Sequence, residues 1–162
     1  MKRLLALSDS HGNFDLLTAA ADYTKPDVII HLGDVVEDSE ILQQHSFRFP
    51  VVRLKGNCDY GSDLPERYLD TVEGVTLFAC HGHQYHVKYG LTPLSFAARE
   101  VGASLCLFGH THVRFFEDVG GLILLNPGAC SGTVPHCALL TLDAGTVKVS
   151  YLKFTESGWC YL

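Results

Sequence analysis

The sequence predicts an α/β fold: a sandwich of two packed sheets of mixed strands with helices on the outside. The first half alternates short apolar runs with helical spacing, in the order strand, helix, strand, helix, strand. That order implies parallel pairing through right-handed crossovers. The second half is strand-rich, with turns at Glu73-Gly74, Gly120-Gly121 and Asp143-Ala144-Gly145-Thr146, which read as hairpins. So many strands fit two stacked sheets better than one open sheet. With 162 residues, 47% of them hydrophobic, the chain is long enough to bury a real core.

Lys2 to Ser8 reads as a buried strand. Asn13 is a plausible N-cap for a helix carrying Phe14, Leu17, Ala20 and Ala21 at helical spacing. Pro26 stops that helix, and Asp27 to Leu32 forms the second strand. Ser39 to Gln44 is a short helix before the third strand, Val51 to Leu54. Tyr68 to Val72 and Val75 to Cys80 form the first hairpin, and a helix at Pro93 to Val101 leads to the strand Ser104 to Phe108. Val113 to Val119 pairs with Leu122 to Leu125, and Cys137 to Leu142 pairs with Val147 to Leu152. No repeat or linker interrupts residues 1–162, which read as one domain.

Composition narrows the function. A net charge of −6 argues against a broad nucleic-acid surface. No apolar run is long enough to cross a bilayer. Met1-Lys2-Arg3 imitates the start of a signal peptide, but the apolar stretch behind it stops at Ser8-Asp9 with no small-residue cleavage site. The expected location is therefore cytoplasmic. The six cysteines show no CxxC pair and no zinc-finger spacing, as expected of free, mostly buried thiols.

Five short polar segments stand out, each at the carboxyl end of an apolar run: Asp9-Ser10-His11, Gly33-Asp34, Gly56-Asn57-Cys58-Asp59, His81-Gly82-His83 and Gly109-His110-Thr111-His112. In α/β sheets ligands bind beyond the carboxyl ends of the strands, so distant segments converge on one rim. Asp9 with His11, and His110 with His112, are two residues apart; in extended chain both members of each pair would face the rim. Cys80, one residue from His81, should face the other way. Four imidazoles with two carboxylates and an amide suit Mn, Zn, Fe, Co or Ni, and match Mg or Ca poorly. Two divalent ions side by side can hydrolyse a phosphoester. Two such ions, Asp9, Asp34 and a bridging hydroxide leave about +1 facing solvent, a local pit for phosphate on an acidic protein. Taken singly, Asp-Ser-His could be a capping turn and Gly-Asp or Gly-Asn an ordinary turn; the five together, in this order, are not explained that way.

These motifs resemble the calcineurin-like metallophosphoesterase superfamily, whose pattern is DxH, GD, GN followed by His or Cys and an acidic residue, H, and GHxH. The short chain and the Gly-Asn-Cys-Asp variant are similar to small phosphodiesterases of the YfcE type. The resemblance implies a four-layer αββα sandwich with a dinuclear centre, frequently activated by Mn. It places Asp9, His11 and His112 on the first metal, Asn57, His81 and His110 on the second, and Asp34 on both. Asn126-Pro127-Gly128-Ala129 resembles the family's Asn-Pro-Gly-Ser, with Ala129 lacking the hydroxyl.

The expected activity is hydrolysis of a small phosphodiester by a metal-bridging hydroxide. Asp34, Asn57, Cys58, Asp59 and His83 are the candidate catalytic residues. Many relatives carry histidine where Cys58 stands, proposed to protonate the leaving alkoxide. A thiol near pKa 8.5 is a weaker candidate for that step than an imidazole near about 6.5, and Cys58 could instead simply fill the loop. His83 is the candidate substrate contact, with Tyr85 and His86 in the same loop. His31, His45 and His136 are expected to be structural or surface residues. The alternatives are a phosphomonoesterase and a protein-interaction scaffold like the retromer subunit of this fold. The strand-rich C-terminal end makes a homodimer plausible.

Overall fold

β1 (Lys2–Leu7), α1 (Phe14–Thr24), β2 (Val28–His31), α2 (Val36–His45) and β3 (Val51–Arg53) follow one another as the sequence reading orders them. The structure is a computed structural model and describes residues 1–45 and 48–162. β4 (Arg67–Val72) and β5 (Val75–Cys80) form a hairpin. A 3-10 turn at His83–Tyr85 precedes α3 (Thr92–Glu100) and β6 (Leu105–Leu107). β7 (Phe115–Val119), β8 (Leu122–Asn126), β9 (His136–Asp143), β10 (Thr146–Thr155) and β11 (Gly158–Tyr161) complete the chain.

The strands form two sheets, ordered β11-β10-β9-β1-β2-β3 and β4-β5-β6-β8-β7. β1, β2 and β3 are parallel, as are β5, β6 and β8. The halves do not map one to each sheet. β9 runs antiparallel beside β1, setting Leu139 opposite Leu5, so the end of the chain completes the sheet that its beginning starts.

β1 shows why so much of the sequence reads as unbroken apolar runs. Leu4 and Ala6 enter the core between the sheets, with Ile30, Leu77, Leu105 and Leu140. Leu5 and Leu7 point outward, under Leu17, Ala20 and Ala21 of α1. On the second sheet Phe78, Cys80 and Cys106 pack outward against Leu94 and Ala98 of α3. Both faces of the central strands are therefore buried, and period-two alternation vanishes from their sequence. The result is a helix, sheet, sheet, helix stack, and Cys80 faces away from the rim as its position implied.

The structure differs from the sequence reading in several local details. Asn13 stands at the N-cap of α1 as expected, but its side chain makes no capping bond: its amide turns back and donates from Nδ2 to the Ser10 carbonyl at 2.7 Å, bracing the preceding turn. α1 ends at Lys25, whose φ of 46° is left-handed and whose N–H reaches the Ala21 carbonyl, with Pro26 next. β1 stops at Leu7, not Ser8, and β7 starts at Phe115, not Val113. β11, which pairs Trp159 with Phe154 across a short turn, and the 3-10 turn were not expected. Among the described residues no helix is long and apolar enough to cross a membrane.

Candidate metal centre

All five polar segments lie just past strand ends, at one end of the sandwich. Asp9 follows β1, Asp34 follows β2, Asn57 follows β3, His81 follows β5 and His110 follows β6. The first three belong to the six-stranded sheet and the last two to the five-stranded sheet, so the site spans the seam between them. Two groups of donor atoms form there, Asp9 with His11 and His112, and Asp34 with His81 and His110. Within each group the donor atoms lie within 4.8 Å of one another. Asp34 Oδ2 stands between the groups, 3.4 Å from His81 Nε2 and 4.0 Å from His11 Nε2.

The i, i+2 pairs reach the rim by a different route from the one expected. Asp9, His11, Asp34, His110 and His112 have φ of 54°, 46°, 47°, 66° and 61°. The chain coils through left-handed conformations instead of extending. Such residues cost on the order of 1–3 kcal/mol each and persist only where the surroundings hold them. Two glycines allow the close approach. A Cβ on Gly56 would strike the Asp34 carboxylate, and one on Gly109 would strike the Ser8 hydroxyl.

Supporting residues fix these coils. Asp9 Oδ2 accepts from the Ser8 hydroxyl at 2.6 Å and from the His110 N–H at 3.1 Å. Asp59 is buried, and its carboxylate accepts from the backbone N–H groups of Asp34 (2.9 Å), Val36 (2.9 Å) and Gly56 (2.6 Å). It ties the Asp34 loop to the Asn57 loop. Asp38, on α2, accepts from the Ser10 hydroxyl at 2.7 Å and the Gly12 N–H at 2.8 Å. His31 is fully buried, with Nδ1 accepting from the Gly33 N–H at 3.3 Å and Nε2 3.2 Å from Ser10 Oγ. Asn126 donates to the Gly109 carbonyl at 2.8 Å and to Thr111 Oγ1 at 3.0 Å, holding the segment that carries His110 and His112. Ser8, Asp38 and Asn126 escaped the sequence reading as site residues. Asn126 carried a motif signal; a buried acid on the first turn of a helix, such as Asp38, carries little.

Two arrangements show that the donors suit cations. Asp9 Oδ1 is buried without a hydrogen-bond partner among the described residues. His112 Nε2 lies 3.1 Å from it, outside the alignment of an N–H···O bond. His81 sits 2.9 Å from the Leu32 carbonyl through Nδ1, which puts the proton there and leaves Nε2 with its lone pair outward. That nitrogen faces Asn57 Oδ1 at 3.0 Å, Asp34 Oδ2 at 3.4 Å and Asp9 Oδ1 at 3.8 Å. Lone pairs converging on one point require a positive charge among them.

Without metal, protons take part of that role. Burial would raise the Asp9 carboxyl, but His112 and His81 bring it below its ordinary value. Asp34, likewise opposed by burial, is lowered by His81 and the Cys58 N–H. His81 is raised despite burial, by Asp34 and Asp9, and His112 is raised by Asp9. His110 falls to about 4 through burial and the neighbouring His81. Metal needs these imidazoles neutral, and the raised His81 and His112 keep their protons to higher pH than an ordinary histidine, so affinity falls as pH falls.

The remaining candidates occupy distinct places. Cys58 is exposed, not a buried loop filler. Its N–H donates to Asp34 Oδ1 at 3.0 Å, and desolvation and the Asp34 carboxylate raise its thiol. The His83 ring centroid lies 5.4 Å from that of His81, tilted, and 6.1 Å from that of His110, edge-on. Burial and His81 lower it, and its Nδ1 is buried without a partner among the described residues. His45 lies on the surface, 3.6 Å from Asp22, and His136 is part-buried in β9.

A two-sheet sandwich gathering carboxylates and imidazoles at its strand ends has the frame of a metal-dependent hydrolase. Residues 1–145 match the calcineurin-like phosphoesterase superfamily domain, and the chain belongs to that family. A probable metallophosphoesterase of Bacillus subtilis is 34% identical over 153 residues, 90% of this chain and 88% of its own. A phosphodiesterase of Methanocaldococcus jannaschii is 25% identical over 143 residues, covering 78% of this chain and 82% of its own. Among solved structures, a predicted phosphoesterase from Streptococcus pneumoniae superposes with a TM-score of 0.78 at 26% identity, over 99% of this chain and 97% of that one. Vps29 from Entamoeba histolytica, solved with Zn+2, gives 0.80 at 19% identity over 99% and 97%, a likeness of fold alone.

Proposed function

We propose that this metallophosphoesterase is a phosphodiesterase working with two divalent ions on a small phosphoester in the cytoplasm. The observation that carries the reading is the His81 nitrogen lone pair ringed by oxygens of Asn57, Asp34 and Asp9. Asp9, His11 and His112 would hold one ion and Asn57, His81 and His110 the other, with Asp34 shared. Bound there, the ions would ionise water for attack on phosphorus and neutralise the phosphoryl oxygens. Mn is the proposed metal, with Zn, Fe, Ni and Co compatible with the same donors. The unpaired thiols suit a reducing compartment.

The chain's own residues do the positioning. Asp59 keeps the Asp34 and Asn57 loops in register through its three backbone contacts. His83 borders the second group and orients substrate. Cys58, exposed and raised above an ordinary thiol, is a poor proton donor to an alkoxide. Aryl diesters, whose leaving groups need no proton, are therefore the better substrates.

The test is a panel of bis-p-nitrophenyl phosphate, p-nitrophenyl phosphate and alkyl diesters, assayed with Mn, Zn, Fe, Ni, Co and Mg. The expected order is aryl diester above aryl monoester, with alkyl diesters far slower, Mn strongest and Mg weak. A monoester hydrolysed faster than the diester would turn the assignment to a phosphomonoesterase. No hydrolysis with any metal would favour a scaffold.

A further inference from the structure

The crossover from β8 to β9 makes two sets of contacts. Its ends hold the metal coils, through the Asn126 amide on the Gly109 carbonyl and the Cys130 N–H on the Ser8 carbonyl. Its middle, Gly128, meets Arg114 and His136 instead. The φ of Gly128 is 84°, and a Cβ there would strike His136 Cβ at 2.9 Å and Arg114 Cγ at 3.0 Å. Only glycine lets those two side chains close over the chain. Lys153 on β10 is paired across the ladder with His136 on β9. Arg114, His136 and Lys153 thus gather at one place on the seam, and none of them belongs to either ligand group.

No acid among the described residues neutralises them. Neither Arg114 nor Lys153 has a carboxylate at ion-pair distance, in a chain where acids outnumber Lys and Arg by 18 to 12. Lys153 and His136 are half-buried. Burial, Arg114 and Lys153 lower His136, and no carboxylate offsets them. Like charges held together without a counter-charge repel, so the fold leaves a place that favours an anion. The donors are also preset. Arg114 lies over the Tyr151 ring, 5.4 Å from its centroid. The Tyr151 hydroxyl is fixed in turn, donating to the Phe115 carbonyl at 2.6 Å and lying 3.1 Å from the Asn126 carbonyl. Stacking sets the guanidinium plane and leaves its N–H edge free for a bidentate oxyanion. Lys153, two residues beyond Tyr151, shares that face of β10.

We propose that Arg114, Lys153 and His136 form a binding site for a tetrahedral oxyanion, separate from the metal centre: free phosphate, or the phosphate of a small monoester. The guanidinium takes two oxygens and the ammonium a third, with the His136 ring between the two cations. Two full charges arriving from different strands favour a dianion over a carboxylate.

The test is a calorimetric titration of inorganic phosphate into the full-length chain near neutral pH. One sample is Mn-loaded; the other is stripped by a chelator that is then dialysed away. A phosphate step is expected in both. In the stripped sample Lys153→Met and Arg114→Gln should each weaken it about tenfold or more, as loss of a charged hydrogen bond does, and Lys153→Arg should keep it. Acetate at equal ionic strength should bind far more weakly. Glycerol 2-phosphate separates the two sources: affinity matching phosphate admits a monoester, and lower affinity assigns the free ion. Lys88 acts on His110 and His112, so Lys88→Met reports on the metal rim. A metal-free step that Lys88→Met removes and the Lys153 and Arg114 substitutions leave unmoved overturns the assignment, placing the anion at the imidazoles. Acetate binding as tightly as phosphate, or no step in the stripped protein, overturns it as well. If Lys153→Met misfolds, Lys153→Gln with wild-type far-ultraviolet circular dichroism carries the same test.

Discussion

The two ligand groups have the same composition, one carboxylate and two imidazoles, but differ in depth. In the second, Asp34 and His81 are buried and His110 is half-buried; in the first only Asp9 is buried. The His11 and His112 side chains are 35% and 48% exposed. The cause lies in the strands. His81 leaves β5, which runs between β4 and β6, and the Leu32 carbonyl of the facing sheet pins its ring. His11 and His112 come from coils that have already turned away from β1 and β6, and no hydrogen bond fixes either ring among the described residues. The second group is thus organised by the fold, whereas the first has its carboxylate fixed and its imidazoles waiting. An ion in the second group should resist dialysis longer than one in the first.

Asp34 is where the comparison can break outright. Its carboxylate faces both groups, so Asp34→Asn should lower hydrolysis of an aryl diester by at least about 10³-fold. It should also weaken both binding steps in a calorimetric Mn titration. Weakening of one step alone would mean that Asp34 serves one group only.

A smaller effect sharpens the distinction. Asp38 supports the Asp9-His11 coil directly, through Ser10 and Gly12, and Asp59 supports the loops of Asp34 and Asn57. Loss of such supporting partners costs about 10–100-fold in metal affinity. Asp38→Ala should therefore weaken the exchangeable ion, and Asp59→Ala the retained one. Asp59→Ala also strips three backbone N–H groups of their acceptor, at about 1–3 kcal/mol apiece. Its urea midpoint should fall further than that of Asp38→Ala. Equal effects of both substitutions on both ions would show that the groups are one rigid unit.

How legible all this was in the sequence differs between the groups as well. Parallel β1-α1-β2-α2-β3 and the convergence of five segments follow from apolar runs ending in polar ones, because strand ends meet at one edge whatever the loops do. The left-handed turns at Asp9, His11, His110 and His112 leave no such mark. Aspartate and histidine tolerate positive φ, but nothing in the spacing distinguishes a coiled DxH from an extended one. Asp59 reads as a catalytic candidate because it stands in the motif; its three backbone partners, which the sequence does not show, reveal a carboxylate that also positions others. β11 was invisible because four residues around one tryptophan have no periodicity to show, and their strand state depends on β10 beside them.

The smallest effect concerns the residue that joins the two coils. His31 accepts from the Gly33 N–H beside Asp34 and contacts Ser10 beside Asp9. Burial lowers its pKa to about 4 from 6.5, against the opposing charges of Asp9 and Asp38. Between those values the unfolded chain binds a proton that the folded chain refuses. Its contribution to stability is therefore whole above about pH 6.5 and is lost as pH falls toward 4, at most about 3 kcal/mol at 1.36 kcal/mol per unit. The raised pKa values of His81 and His112 oppose this trend in metal-free protein, so the wild-type slope alone is a mixture. The difference between wild type and His31→Gln isolates the effect. In chelator-treated samples the stability advantage of wild type over His31→Gln should shrink from pH 7 to pH 5, read from urea midpoints. An advantage that is flat across that range would show that His31 is not held neutral, and that the backbone bonds from Asp9 and Ser10 to the Gly33 and Asp34 carbonyls join the coils without it.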